Sequence, residues 1–362
     1  MRMERGLNMK IKTAALLTAT LAGACALLLF PAQAAAGAKN GIGYSVNILV
    51  PSLYPFMVLS VFVVKSGLAH KMGRVLEGFT NRVMRLPGSA AATILMSIVG
   101  GYPAGARSVA ALYEDGAVTE KQAARMLCFC VNAGPSFVIT AVGAGLMNSA
   151  HAGGILFTAQ AAAFFTLALL CGAAGKREKT DPAPLRSPSP PCVSRALIAS
   201  AKDACRATLD MCCFVILFAA LMSLLRMAVR NGFWSAVLSG MLEVTGGCSD
   251  LAALGAPLWV YSLVIGWGGV CVHLQILSSV TEIPIGWGRF LFFRLLQGVF
   301  SAAYTVLLCR IFPDSVAVFH NTEAPLAAGF AGSAPASAAL VALCVVFLMS
   351  LPRTRLEMDG AE

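Results

Sequence analysis

A small set of polar and ionisable residues lies within the apolar stretches of this chain, and these residues are the candidates for chemistry. Arg107 closes a run rich in glycine, and Asn132 begins the sequence Asn-Ala-Gly-Pro. Backbone amides freed at a helix break, together with an arginine, favour a bound anion. We therefore predict that Arg107, Asn132, Gly134 and Pro135 contact a small anionic solute. Two alternatives stay open, since Arg107 could snorkel to lipid headgroups and small residues also allow close helix packing.

A second set of candidates lies at the corresponding place in the second half of the chain, where residues 266–269 read Gly-Trp-Gly-Gly. Gly268 and Gly269 would expose bare backbone to a solute. Gln275, two turns further on, could face the same cavity, and Gln160 could line it from a flanking helix. Each glutamine could instead form only an interhelical hydrogen bond.

Three ionisable residues in the second half are costly to place in a membrane unless they are paired or face water. Glu243 is a candidate for carrying a coupling proton or ion. Arg294 could bind a carboxylate, although a position near the lipid interface is favoured. His273 has no carboxylate or cysteine partner at metal-ligand spacing, so no metal and no cofactor are predicted.

Catalysis has little support in the sequence, and a non-enzymatic protein is predicted. The chain has no Ser-His-Asp constellation, no His-Glu-x-x-His motif, no phosphate-binding loop with lysine and no Cys-x-x-Cys pair. These motifs supply the nucleophile, base or metal that hydrolysis and phosphoryl transfer require.

Composition places the chain among polytopic membrane proteins. Hydrophobic residues make up 58% of it and charged residues 12%, and the mean hydropathy is +0.77. The net charge of +10 would suggest nucleic acid in a soluble protein. Here most basic residues lie between apolar segments, which is typical of topology signals. The lipid bilayer is therefore the expected partner, nucleic acid is not, and a homo-oligomer stays open.

The order of apolar segments predicts an all-α fold with two repeats that contain broken or re-entrant helices. The predicted divisions are an N-terminal transmembrane or signal-like segment, a first membrane repeat, a cytoplasmic proline-rich linker, a second membrane repeat, and a final part with a loop, a transmembrane helix and a tail: residues 1–45, 46–175, 176–195, 196–310 and 311–362. A cleavable signal peptide would have the same layout as the first segment, but a first transmembrane helix is favoured because more spans follow at once.

Breaks in matching repeats indicate a binding site. Freed backbone groups survive in a bilayer only when they are buried in protein or line a cavity. A pair of broken helices in corresponding halves therefore predicts a site near the bilayer midplane, built from half-helix ends.

Several motifs together resemble the YlbJ family of sporulation integral membrane proteins, which is similar to the nucleoside-recognition or Gate domains of concentrative nucleoside transporters and of the FeoB iron transporter. The motifs that carry the resemblance are Val-Pro-Ser-Leu-Tyr-Pro-Phe at 50–56, Gly-Tyr-Pro-Ala-Gly-Ala-Arg at 101–107, Asn-Ala-Gly-Pro-Ser-Phe-Val-Ile at 132–139 and Leu-Glu-Val-Thr-Gly at 242–246. The resemblance implies a transporter-like protein of the bacterial cytoplasmic membrane or forespore membrane. It also implies dipicolinate, a pyridine dicarboxylate, as a candidate solute.

The leading hypothesis is thus a transporter or gated permease for a small anionic solute. The alternatives are a nucleoside transporter-like permease and a membrane scaffold in spore formation that transports nothing. The chain is shorter than a complete nucleoside transporter, which puts nucleoside specificity in doubt.

Overall fold

The computed structural model describes residues 14, 17–18, 20–66, 78, 80–175, 193–227, 229 and 231–312. These residues form helices and connecting turns, with no β-strand among them. The predicted all-α membrane fold is confirmed, since five helices in this part of the chain are long and apolar enough to cross a bilayer. The predicted proline-rich linker lies mostly outside the described residues, and the predicted C-terminal helix lies wholly outside them.

The first half begins with long helix 1, which runs from Pro31 to Lys65 as the consecutive segments Pro31–Tyr44, Ser45–Leu49 and Val50–Lys65. The middle segment is a π-helix. It directly precedes Pro51, and Pro55 lies inside the helix. Pro51 and Pro55 lack backbone amide hydrogens, and the wider turn of the π-helix accommodates their absence. The segment is therefore a π-bulge rather than an unwound stretch.

The first half continues with a re-entrant pair of helices, hairpin 1, made of Ala90–Val99 and Gly101–Glu114. The two arms run antiparallel, since Thr93 Oγ1 donates to the carbonyl of Ser108 across them at 3.5 Å. Broken helix 1 follows as Glu120–Met126 and Ser136–Leu146, and closing helix 1 is Ala150–Ala174. Broken helix 1 starts at the predicted capping box, in which Thr119 and Gln122 cap each other's backbone amides.

The second half repeats this order. Long helix 2 is Val193–Leu225, hairpin 2 is Gly232–Leu242 with Val244–Ala253, broken helix 2 is Leu258–Trp267 with Gly269–Ser279, and closing helix 2 is Trp287–Ile311. The sequence predicts an interfacial helix over residues 193–209 that leads into a span over 211–225, and in the structure the two form one unbroken helix.

Each half contains a long helix, a hairpin, a broken helix and a closing helix. Both long helices, both closing helices and broken helix 2 are long and apolar enough to cross a bilayer, whereas the two parts of broken helix 1 are shorter. The basic residues Lys65, Arg82 and Arg85 lie around the entry of hairpin 1, which favours a cytoplasmic position for this end.

Glycines allow the helices to pack at short range. Gly37 and Gly41 of long helix 1 face the backbone of long helix 2, and a Cβ on Gly41 would lie 2.7 Å from Cα of Ile216. Gly266 and Gly298 bring broken helix 2 against closing helix 2 in the same way. Such small-residue contacts replace the hydrophobic driving force that lipid removes.

Candidate functional site

A small cavity of about 40 Å³ lies where both hairpin tips meet both long helices. Its wall includes the tip of hairpin 1 at Gly100, Gly101 and Tyr102, and the tip of hairpin 2 at Glu243. The rest of the wall is mainly apolar, with leucine and methionine from long helix 1 and Met211 and Val215 from long helix 2. A mainly apolar wall with a few polar groups is typical of small-molecule sites.

The tip of hairpin 1 rests against the break in its own half. A Cβ built on Gly134 would lie 3.0 Å from the amide nitrogen of Gly101 and 3.1 Å from the carbonyl oxygen of Val99. Gly101 has φ +81°, a conformation that glycine adopts without steric cost. The two bare backbones are therefore in direct contact.

The tip of hairpin 2 meets broken helix 2 in the same manner. Gly268 and Gly269 have φ +86° and +79°, and a Cβ on Gly269 would lie 3.0 Å from the carbonyl oxygen of Leu242. Trp267 adds a hydrogen bond from its indole Nε1 to the carbonyl of Met241, at 3.0 Å. The predicted break at residues 266–269 thus lies at Gly268, between the two half-helices.

Tyr102 connects the two halves. Its hydroxyl donates to the backbone carbonyl of Ile265 in broken helix 2, and its ring lies beside Gly268. The carbonyl of Ile265 would otherwise lack its full set of helical partners next to the break. The tip of hairpin 1 therefore helps to satisfy the backbone of the opposite repeat.

Four half-helices begin at the cavity. Residues from their first turns line it: Tyr102 from hairpin 1, Ser136 from broken helix 1, Thr245 from hairpin 2 and Val272 from broken helix 2. Three of these N-termini have no side-chain cap, at Gly101, Ser136 and Gly269. Uncapped N-termini carry a partial positive charge and attract anions.

Glu243 caps the fourth N-terminus. Its carboxylate is buried and accepts hydrogen bonds from the backbone amides of Thr245, at 2.7 Å, and Gly246. The side chain of Glu243 lines the central cavity. A protonatable group therefore faces the place where a solute would bind.

The cavity brings together only some of the predicted residues. Gly134, Glu243 and Gln275 line it. Gly268 and Gly269 lie just behind, in contact with the hairpin tips, and Pro135 is the residue before the half-helix that begins at Ser136.

Arg107 does not reach the cavity. Its side chain is 44% exposed, and its guanidinium lies 3.7 Å from the carboxylate of Asp210 on long helix 2. Two turns of helix separate it from the tip of hairpin 1, so the side chain points away from the cavity wall. The prediction that Arg107 contacts the solute therefore has no support in the geometry.

Asn132 and Gln160 border a separate, smaller recess of about 10 Å³. The amide of Asn132 donates to the carbonyl of Phe129 at 2.7 Å, so it stabilises the backbone of the break. Gln160 donates from Nε2 to the carbonyl of Ser262 at 2.9 Å, and its Oε1 accepts from Ser301 at 3.0 Å. For Gln160 the interhelical alternative therefore describes its contacts.

Arg294 is the functional candidate whose position the sequence misplaced. Its side chain is fully buried, not interfacial, and its guanidinium donates to the carbonyls of Cys128 and Val131 in the gap of broken helix 1. The sequence does indicate burial here, because Arg294 lies inside a predicted apolar span. A charge far from either end of a helix cannot easily reach the lipid headgroups.

His273 stabilises the second break. Its Nε2 pairs with the carbonyl of Trp267 at 2.8 Å, and its ring packs between Trp267 and Phe290. Within the described part of the chain, no group of three or more His, Cys, Asp or Glu residues could hold a metal ion.

Comparisons with known proteins agree with this arrangement. Residues 46–150 match the Gate family, described as nucleoside recognition. The chain is 26% identical over 313 residues to the sporulation integral membrane protein YlbJ of Bacillus subtilis strain 168, covering 75% of this chain and 76% of that protein. No solved structure matches significantly. The predicted resemblance is confirmed, and the chain is an integral membrane protein of permease-like type.

Proposed function

We propose that this protein is a permease that carries a small anionic solute through the central cavity. One observation carries the proposal, namely that four half-helices begin at this cavity. Each helix N-terminus is equivalent to roughly half a positive charge. Glu243 already occupies one of them, which leaves three uncapped N-termini for the oxygens of a solute.

Dipicolinate, the solute that the resemblance implies, matches the groups on the cavity wall, and the cavity must widen to admit it. Its flat ring matches the mainly apolar wall, and its two carboxylates can accept hydrogen bonds from separate half-helix N-termini. A protonated Glu243 would remove the one negative charge on the wall, so proton and anion could travel together. A role in spore formation, as in the name of the Bacillus relative, would follow from this solute.

A neutral nucleoside-like solute is the second candidate, and the composition of the wall favours it. Among the described residues that line the cavity, none is Lys, Arg or His. Glu243, Gln275 and Thr245 could instead bind hydroxyl and amide groups. The description of the matching family points in the same direction.

Uptake by proteoliposomes separates these candidates. Purified protein would be offered labelled dipicolinate, its neutral isostere pyridine-2,6-dicarboxamide, and uridine. We expect dipicolinate to enter fastest, and faster uptake of uridine would favour the second candidate. Failure of all three solutes to enter, with folded protein in the liposomes, would favour the scaffold alternative.

A blocked cavity provides the control for this experiment. Met211 lines the cavity from long helix 2, whereas Leu217 on the same helix is exposed to lipid. Met211→Trp should abolish uptake by filling the cavity, and Leu217→Trp should leave it unchanged. Equal uptake by the two variants would show that the solute does not pass through this cavity.

A further inference from the structure

Arg294 is a buried cation without an anionic partner. Its side chain is 0% exposed, and within the described residues no carboxylate lies within ion-pair distance of it. Its Nη2 donates to the carbonyl of Cys128 at 2.9 Å and its Nη1 to that of Val131, while its Nε has no hydrogen-bond partner. Burial of an unpaired charge lowers stability, so such a residue in a membrane protein is usually functional.

The location of Arg294 links it to both breaks. It projects from closing helix 2 and binds carbonyls that lie in the gap of broken helix 1. On its other side it stacks over Phe290, with 5.9 Å from Cζ to the ring centroid, and that ring contacts His273 of broken helix 2. The guanidinium therefore lies between the two unwound segments.

The carbonyl partners of Arg294 belong to the segment that leads to the cavity wall. Val131 is three residues before Gly134, which lines the cavity. Tyr102, another lining residue, is close enough to Arg294 for an electrostatic interaction. A charge in a medium of low dielectric acts over a longer range than in water. Arg294 can therefore provide the positive charge near the cavity that the sequence assigned to Arg107.

We propose that Arg294 is the specificity-determining residue that makes the central cavity prefer anions, acting through the wall rather than by direct contact. This inference rests on the proposed function, and it deepens it by assigning the charge selectivity to one side chain. The two carbonyl contacts also position broken helix 1. An Arg294→Lys variant separates charge from positioning, because Lys keeps the positive charge but lacks the forked guanidinium that binds both carbonyls.

The test compares uptake of dipicolinate with uptake of pyridine-2,6-dicarboxamide, which has nearly the same shape and no charge. Three variants would be measured in proteoliposomes: Arg294→Gln, Arg294→Lys and Arg310→Gln. The last is a matched control, since Arg310 lies on the same helix and is exposed. We expect Arg294→Gln to lower the ratio of dipicolinate to dicarboxamide uptake by about tenfold or more, from the loss of one unit charge at close range.

A purely structural role would give a different result. If Arg294→Gln slowed both solutes by the same factor, the ratio would stay constant and the proposal would be overturned. Arg294→Lys should slow uptake but keep the ratio within about twofold, since the charge remains. If the Gln variant did not fold, the Lys variant would decide: a Lys variant that no longer preferred dipicolinate over the dicarboxamide would also overturn the proposal. Arg310→Gln should change neither rate.

The outcomes also separate this inference from the proposed function. Wild-type protein that prefers dipicolinate, together with an Arg294→Gln variant that keeps this preference, overturns the inference alone. Wild-type protein that carries the dicarboxamide as well as dipicolinate overturns the anion preference and with it both proposals.

Discussion

Gln160 and Gln297 occupy the same position in closing helix 1 and closing helix 2, and they hydrogen-bond to each other between the two halves. Each lies ten residues after the first residue of its helix. The Nε2 of Gln297 donates to the backbone carbonyl of Gln160 at 3.1 Å and to its Oε1 at 3.3 Å. The two halves therefore meet at equivalent residues of their closing helices.

Gln160→Leu should destabilise the protein. The change removes the side-chain partner of Ser301 and of the carbonyl of Ser262, and Gln297 keeps only its bond to the backbone carbonyl of residue 160. An unsatisfied buried group costs about 1–3 kcal/mol. Thermal unfolding in detergent should show a lower midpoint, and adding Gln297→Leu should lower it little further because the two residues share one network. Thr158→Ala on the exposed face of the same helix should have almost no effect. Additive effects of the two leucine changes would contradict a shared network.

Gly134→Ala should reduce both stability and uptake. The new Cβ would lie 3.0 Å from the amide nitrogen of Gly101, so the hairpin tip must move away, at a cost of about 1–3 kcal/mol for an overpacked site. Gly154→Ala is the matched control, because a Cβ there meets nothing within 4 Å. Uptake and the unfolding midpoint are the measurements, and equal behaviour of both variants would argue against close contact between tip and break.

Tyr102→Phe should weaken the connection between the halves. The change removes the hydrogen bond to the carbonyl of Ile265 and leaves that buried acceptor unpaired, which costs about 1–3 kcal/mol. Tyr304→Phe is the comparison, because its partner Thr166 keeps a second hydrogen bond to Ala162. We expect a larger drop in the unfolding midpoint for Tyr102→Phe. The reverse order would show that the Ile265 carbonyl is satisfied in another way.

Glu243→Gln should make uptake of an anion less dependent on pH. Protonation of Glu243 removes a negative charge from the cavity wall, so wild-type uptake of dipicolinate should rise as the pH falls through the range in which Glu243 titrates. Gln resembles the protonated acid and can still accept from the amide of Thr245, so the variant should keep uptake at a level that varies little with pH. Uptake measured across a pH series tests this, and an unchanged profile in the variant would remove Glu243 from coupling.

Arg107→Ala should change uptake by less than about threefold, which follows from the small contribution of an exposed ion pair. The sequence alone predicts a larger loss, but the side chain faces Asp210 rather than the cavity. Asp210→Ala provides the matching control on the other partner. A loss of uptake in Arg107→Ala alone, with normal amounts of protein in the membrane, would restore Arg107 to the site.

The backbone features of the site could be predicted from the sequence. Glycines at 268 and 269 within an apolar stretch indicated a break, and the structure places left-handed backbone at both. Thr119 and Gln122 indicated a helix start, and they form the capping box. These features are local, because the residue type itself sets the allowed backbone conformation.

The tertiary positions of charged side chains could not be predicted in the same way. Arg107 follows a glycine-rich run in sequence, yet the helix turns it outward. Arg294 lies inside an apolar helix, which indicates a buried charge, but its partners at Cys128 and Val131 are far away in the chain and cannot be predicted from its neighbours. The glycine-rich segments at residues 100–107 and 243–247 are hairpin tips, which the sequence did not predict. The antiparallel return of the second arm depends on packing between the two arms.

The close glycine contacts limit how the helices can move against each other. A Cβ on Gly37 would lie 2.5 Å from Cβ of Ser223, and one on Gly266 would lie 2.5 Å from Cα of Gly298. We therefore expect long helix 1 with long helix 2, and broken helix 2 with closing helix 2, to move as rigid pairs when the protein changes conformation.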